Sequence, residues 1–290
     1  MQASKRKDGG SRRSKRMAIV VENTTSSVHR GFIALLDLKK GSQISLDGVP
    51  IALQQADGLF GFREIEFDTD VFHLVAIRGA TSDSGNRKNV SAITVGFVVL
   101  DASLVRRYDA QTEEVSSSTL DEQTIANLTM QINDSTVPSS RLVTYNQVLS
   151  IDQGNRWKNR TRFISRRLLR KRGLFDGNKV VPGSYDDNGK SVDQPKIVDG
   201  ESVRFPNIPV LDSANEGLRS CSHLGTRQYL KELPPDVRTT LFLDPNPSAR
   251  LLQDVLQRYY DGNWRDLLGD LQLAFVLVLN LQCFSSLECW

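Results

Sequence analysis

The segment from Ser248 to Trp290 constrains this chain most, because it encodes two consecutive helices with their end signals intact. Ser248 offers a hydroxyl as N-cap, and Leu251, Leu252, Val255, Leu256 and Tyr259 recur at three- and four-residue spacing along one face. Asp261 and Gly262 end that helix, and Asn263 caps the next. The second helix carries Trp264, Leu267, Leu268, Leu271, Phe275, Val278 and Leu279 as one wide apolar stripe. A stripe of that width needs partners on more than one side. The expectation is a helical domain, incomplete at Trp290, that leaves apolar surface along Leu273, Leu277 and Leu281.

Charge divides the chain unevenly. Residues 5 to 16 hold seven Lys/Arg against one Asp, and Arg156 to Arg172 holds nine more and no acid. Of 37 basic and 34 acidic residues, 21 and 33 remain elsewhere, so the bulk of the protein is acidic and a broad nucleic-acid-binding face is not expected. Cys221, Cys283 and Cys289 are odd in number and lack CxxC spacing, which fits a reducing compartment and gives no zinc pattern. The longest apolar stretch, Leu271 to Phe284, is interrupted by Gln272, Asn280 and Gln282 and reads as a buried helix rather than a membrane span.

Residues 1–28 form a basic, then Ser/Thr-rich tail expected to be disordered; a solvated tail and a nuclear-import signal fit it equally. From 29 to 150 the pattern is short Val-, Ile- and Phe-rich runs (GFIALLDL, FREIEF, VFHLVAI, ITVGFVVL) separated by turns at Lys40-Gly41-Ser42 and Asp57-Gly58. Two packed antiparallel layers are the simplest solution. A helix is expected over Ser118 to Gln131, with Leu120, Ile125, Leu128 and Ile132 inward. Residues 151–173 read as one basic amphipathic helix. Its Trp157, Ile164 and Leu168 either dock on the β layer, the preferred reading, or face a membrane or RNA. Residues 174–215 are rich in Gly, Pro, Asp and Asn and read as a flexible linker. The helical domain, 216–290, opens with a short helix, Thr226 to Leu233, stopped by Pro234-Pro235. The fold class is α+β: a β-rich, sandwich-like N-terminal domain followed by an all-α C-terminal domain.

Chemistry is sparse. His29, His73 and His223 lie far apart, and His73 falls within a strand where a structural role is the commoner one. No GxSxG, Walker, HExxH or dinucleotide-binding pattern occurs. Asp37 and Asp47 flank a turn, and Asp266 and Asp270 form one solvated helix edge, neither pair having an evident base, nucleophile or metal partner. No catalytic, cofactor-binding or metal-binding residues are assigned. No cofactor is expected, and the reading is of a non-enzyme.

The stretch YYDGNWRDLLGDLQLAFV resembles the signature of the A-one-cistron splicing factor (Aar-two) family. Tyr260, Gly262, Asn263, Trp264, Leu267, Leu268, Gly269, Leu271, Gln272, Ala274, Phe275 and Val276 sit where that family has the same or a similar residue, and Trp290 resembles a tryptophan that follows. Weaker likenesses run in the same order along the N-terminal half: Leu35 to Asp47, Gly61 to Val75, and Gly96 to Asp109. The helix from Trp157 to Ile164 is similar to a family helix with tryptophan, threonine and isoleucine at these spacings. Two departures stand out: Asp68-Thr69-Asp70 in place of a Pro-Pro-Gly turn, and Arg160 where Leu is common.

The resemblance implies a protein-binding assembly chaperone that holds the large core protein of the U-five small nuclear ribonucleoprotein through its RNase-H-like and Jab/MPN-like domains and delays docking of the RNA helicase. It implies a monomer in nucleus and cytoplasm, with no membrane contact and no direct RNA contact. The alternative is an RNA-binding module using the two basic segments. Trp157, Ile164 and the buried stripe, Trp264, Leu268, Leu271 and Phe275 among it, are expected to be core. Gly269 is expected to permit close helix approach, and Tyr260, Arg265 and Asp266 to be exposed interface positions. Ser184 and Ser191 are accessible phosphorylation candidates for release.

Overall fold

A computed structural model describes residues 29–52, 58–67, 72–79, 94–100, 103–109, 114–116, 120–134, 137, 141–182, 196–197, 203–206, 208, 229–243, 247–284 and 286. The N-terminal tail, the linker serines Ser184 and Ser191, and Trp290 lie outside them.

The apolar runs form strands in two sheets. The first contains β1 (His29–Leu36), β4 (Leu59–Phe67), β7 (Leu104–Asp109), β8 (Glu114–Ser116) and β9 (Leu142–Thr144), in the order β8-β7-β1-β4-β9. The second contains β2 (Gln43–Leu46), β3 (Val49–Ala52), β5 (His73–Arg78), β6 (Thr94–Val99), β10 (Lys179–Val181) and β11 (Lys196–Ile197), in the order β11-β10-β6-β5-β2-β3. The second sheet is antiparallel throughout. The first is mixed, because β1 runs parallel to β7 and β4 parallel to β9, which corrects the expectation of two antiparallel layers. The chain builds most of the second sheet between β1 and β7, and so returns to the first sheet by a crossover that brings strands back in the same direction.

Alternation along the strands sorts side chains between layers. Val75 and Ile77 of β5 and Val95, Phe97 and Val99 of β6 meet Ile33, Leu35, Phe62 and Ile65 of the first sheet in the inter-sheet core. Leu74, Ala76 and Val98 point the opposite way into a second core shared with helices. Burial on both faces explains why VFHLVAI is almost continuously apolar. On the far side of the first sheet, α1 (Glu122–Asn133) buries Ile132 against Phe32, Ala34, Leu36 and Leu142, with Leu120, Ile125 and Leu128 packed at the margin. Its N-cap is Asp121, whose carboxylate accepts from Thr124 N at 2.5 Å.

The basic segment is two helices after a single-turn helix, α2 (Tyr145–Val148). These are α3 (Ile151–Thr161), opened by a Ser150/Gln153 capping box, and α4 (Arg166–Lys171), capped by Ser165. The Ser165 hydroxyl satisfies Leu168 N at 3.1 Å and allows the chain to turn, where periodicity had suggested one continuous helix. Trp157, Ile164, Leu168 and Leu169 are buried, and Trp157 Nε1 donates to Phe72 O at 3.0 Å.

A further boundary moves. Leu174, Val180, Ile197, Val203 and Phe205 are core residues and β10–β11 extend the second sheet, so these parts of residues 174–215 are anchored rather than linker. Residues 229–232 are helical and end before Pro234, as expected, and α5 (Pro235–Leu243) then begins at the second proline, which suits a first turn. Next come α6 (Pro247–Tyr260) and α7 (Trp264–Leu281), hinged by Asp261 and Gly262, both at positive φ. Tyr229, Leu230, Leu233, Leu251, Val255 and Tyr260 form a small helical core. The last helix, however, belongs mainly to the β layer: Leu273, Ala274, Val276, Leu277 and Leu281 pack with Leu74, Ala76 and Val98. The α+β arrangement stands, with α7 spanning both parts.

Candidate functional site

The chain's two strongest sequence signatures meet where α3 and α4 lie across α7. Gly269 makes the approach possible: a Cβ there would stand 2.3 Å from Phe163 O and 2.6 Å from Leu168 Cδ2. One residue on, Asp270 is fully buried and takes two hydrogen bonds from Arg172, one of them Nε to Oδ1 at 2.8 Å, and a third from the Tyr260 hydroxyl at 2.8 Å. Burial raises the Asp270 carboxyl above its ordinary value, with Arg172 and Tyr260 pulling the other way. Burial and the neighbouring carboxylate likewise push the Tyr260 hydroxyl upward, so it remains a donor. Gln272 completes the seam, its Oε1 accepting from Phe163 N at 2.8 Å and its Nε2 donating to Asn159 O at 3.1 Å.

Around this seam the basic segment finds internal partners. Arg167 donates to Asp266 at 3.0 Å and stands 3.6 Å from Asp261. Lys171 reaches Tyr259 O at 2.5 Å and Asp261 at 3.5 Å, and Arg166 donates to Leu100 O at 3.1 Å. The acids beside α7 and the cations of α4 therefore neutralise one another within the chain.

This geometry corrects several expectations. Tyr260 and Asp266 are buried, at 0% and 4% exposure, and are not surface positions. Asp266 and Asp270 form no solvated edge; they face α4, whose arginines compensate the loss of water. The stripe is reversed as well. Trp264, Leu271 and Phe275 are 51%, 41% and 45% exposed, and Leu268 is half-buried, while Leu273, Leu277 and Leu281 are buried. α7 is apolar around most of its circumference, so spacing could not say which face the sheet would take. Small residues decided it: Gly269 and Ala274 let α7 approach closely, and Gly96 of β6 leaves room for Leu281, whose methyls lie 2.8 Å from where its Cβ would be. Leu267 packs on the small helical core, Asn263 caps α7 through Arg265 N at 3.1 Å, and Gly262 occupies the left-handed region. Arg265 is exposed, as expected.

Residues 227–290, which contain α5, α6, α7 and the Asp270 seam, match the AAR2 C-terminal repeat region. Over these residues the chain is similar to the AAR2 family. A search of curated proteins finds no match. The AAR2 match covers the helical part alone, but the residues that α7 grips, from Asn159 to Arg172, lie outside it. The match points to a splicing-related function.

A second polar cluster lies at the edge of the two sheets, and sequence reading missed it. Asp47, at a positive-φ turn position, accepts from Leu74 N at 3.0 Å, from the Tyr145 hydroxyl at 2.6 Å and from His73 Nδ1 at 2.7 Å. His73 Nε2 faces Glu66 O at 3.2 Å. Both ring nitrogens face acceptors, an arrangement that the protonated imidazolium satisfies in full. Burial alone would push His73 down, but Asp47 and Glu66 O outweigh it and the net shift is upward. A cleft of about 280 Å³ beside it is lined by Glu66, His73, Tyr145, Ser150, Asn155 and Lys158. Both ring nitrogens of its histidine are engaged, and the cluster ties Glu66 of the first sheet to the second sheet and α2. Only a hint was legible beforehand: Asp47-Gly48 as a turn signal after a strand. Among the described residues no group of His, Cys, Asp and Glu is placed to hold a metal, and no helix is long and apolar enough to cross a membrane.

Proposed function

We propose that this chain is an AAR2-family assembly chaperone that binds the large core protein of the U-five small nuclear ribonucleoprotein, contacting its RNase-H-like and Jab/MPN-like domains and delaying docking of the RNA helicase. The match over residues 227–290 carries the reading. The seam between α4 and α7 supports it, since it joins the helical part to the β layers with a buried charge pair, and a two-part surface of this kind suits gripping a folded partner. Arg166, Arg167, Lys171 and Arg172 are bonded within the chain, which weighs against the RNA-binding alternative. On this reading the factor acts as a monomer and is present in nucleus and cytoplasm.

The deciding experiment is a pull-down of the core protein's RNase-H-like domain with the full chain. A stable complex that lowers helicase binding is expected. No complex overturns the reading, and a complex that leaves helicase binding unchanged overturns the delaying role.

A further inference from the structure

The outward face of α7 is apolar along its length. Trp264, Leu271, Phe275 and Leu279 are exposed by 51%, 41%, 45% and 47%, at spacings that align them with half-buried Leu268 on one side of the helix. Both acids of α7 turn inward, which leaves Arg265 as its one outward charge. The end of α3 runs beside this row, held there by Gln272, and contributes exposed Arg160 and Arg162. Arg162 lies 5.6 Å above the ring of Phe163, Phe163 lies 5.8 Å from Trp264, and Arg265 lies 5.6 Å from Trp264. Two guanidinium groups are thereby stacked on two aromatic rings at the N-terminal end of the row. Tryptophan and arginine are the residues that dominate binding energy in protein interfaces.

We propose that this face docks an amphipathic helix with acidic flanks, supplied by another protein. The occupant's apolar residues would lie along Leu271, Phe275 and Leu279, and its carboxylates would meet Arg160, Arg162 and Arg265, in the manner of helix-in-groove recognition. Charge selects the occupant, since a second copy of this chain would set these same cations against each other. The proposal goes beyond the reading above, because it identifies the occupant by its chemistry and holds whichever protein carries that helix.

The test uses the full chain and two fluorescent synthetic helices matching the length of α7, 18 residues. Both have a leucine face; one is flanked by glutamate, the other by lysine. Anisotropy titration should show the glutamate helix binding at least about tenfold more tightly, with the gap narrowing as salt is raised. Phe275→Ser should weaken both helices while leaving the melting temperature unchanged. Arg162→Glu with Arg265→Glu should reverse the preference. Equal affinities, a preference for the lysine helix, or binding of neither overturns the proposal. So does a dimer in sedimentation that Phe275→Ser separates, which would assign the face to a second copy.

Discussion

Phe163 O lies 2.3 Å from where Gly269 would carry a Cβ, so the contact between α7 and the loop joining α3 to α4 exists only because position 269 lacks a side chain. Gly269→Ala would gain about 1 kcal/mol of helix propensity. The clash is with a backbone carbonyl as well as with Leu168, and overpacking of this kind costs about 1–3 kcal/mol, occasionally more, set against that gain. A net loss of stability is therefore expected in urea denaturation, although alanine is the better helix former.

Breaking the Arg172–Asp270 pair from one side leaves a charge buried without its partner. Asp270→Ala should cost about 3–5 kcal/mol. Replacing both, Arg172→Met with Asp270→Leu, should recover most of it, because no unpaired charge remains. A double-mutant cycle by chemical denaturation checks this, and additive losses would show that the pair is not coupled.

His73 has a raised folded pKa, above the ordinary value of 6.5. A raised value means that the folded state holds the proton more tightly than the unfolded chain. The stabilisation is fully present below 6.5 and is lost as pH rises through the folded value. Asp47, Tyr145, Glu66 and Lys158 are the titratable groups that face it. Denaturation measured from mildly acid to alkaline pH should show stability falling, and His73→Gln should flatten that slope.

The two faces of α7 should respond oppositely to substitution. Leu277→Ala removes a buried side chain from the core shared with β5 and β6 and should cost about 2–5 kcal/mol. Phe275→Ser, on the outward face, should change stability by no more than about 0.5 kcal/mol. Thermal melts of the two variants compare them directly.

Trp157 anchors α3 through a buried indole N–H bonded to Phe72 O at 3.0 Å. Trp157→Phe keeps an aromatic ring beside Phe72 but orphans that carbonyl and leaves a gap. A loss of about 1–3 kcal/mol is expected by denaturant titration.

Local signals were legible because they act over a few residues. The strand runs, the Asn263 cap, the Asp261-Gly262 break and the α+β class could all be read from spacing and turn chemistry. The family resemblance was legible too, on the residues around Gly269 and Gln272. Which side of α7 is core was not, since an apolar residue at nearly every position satisfies more than one periodicity. That choice rests on Gly269, Ala274 and Gly96, whose small size lets α7 sit against α4 and the second sheet. The acids Asp266 and Asp270 looked like a solvated edge because sequence cannot show a cation 99 or 98 residues away. His73 and Asp47, 26 residues apart, became a pair only when β5 laid itself against the turn after β2. Sequence alone determined where most helices and strands form, through capping, periodicity and turn residues, though not the break at Ser165 or the strands β10 and β11. Tertiary structure alone decided which faces they bury and which charges they join, because burial and long-range pairing depend on what other parts of the chain bring into contact.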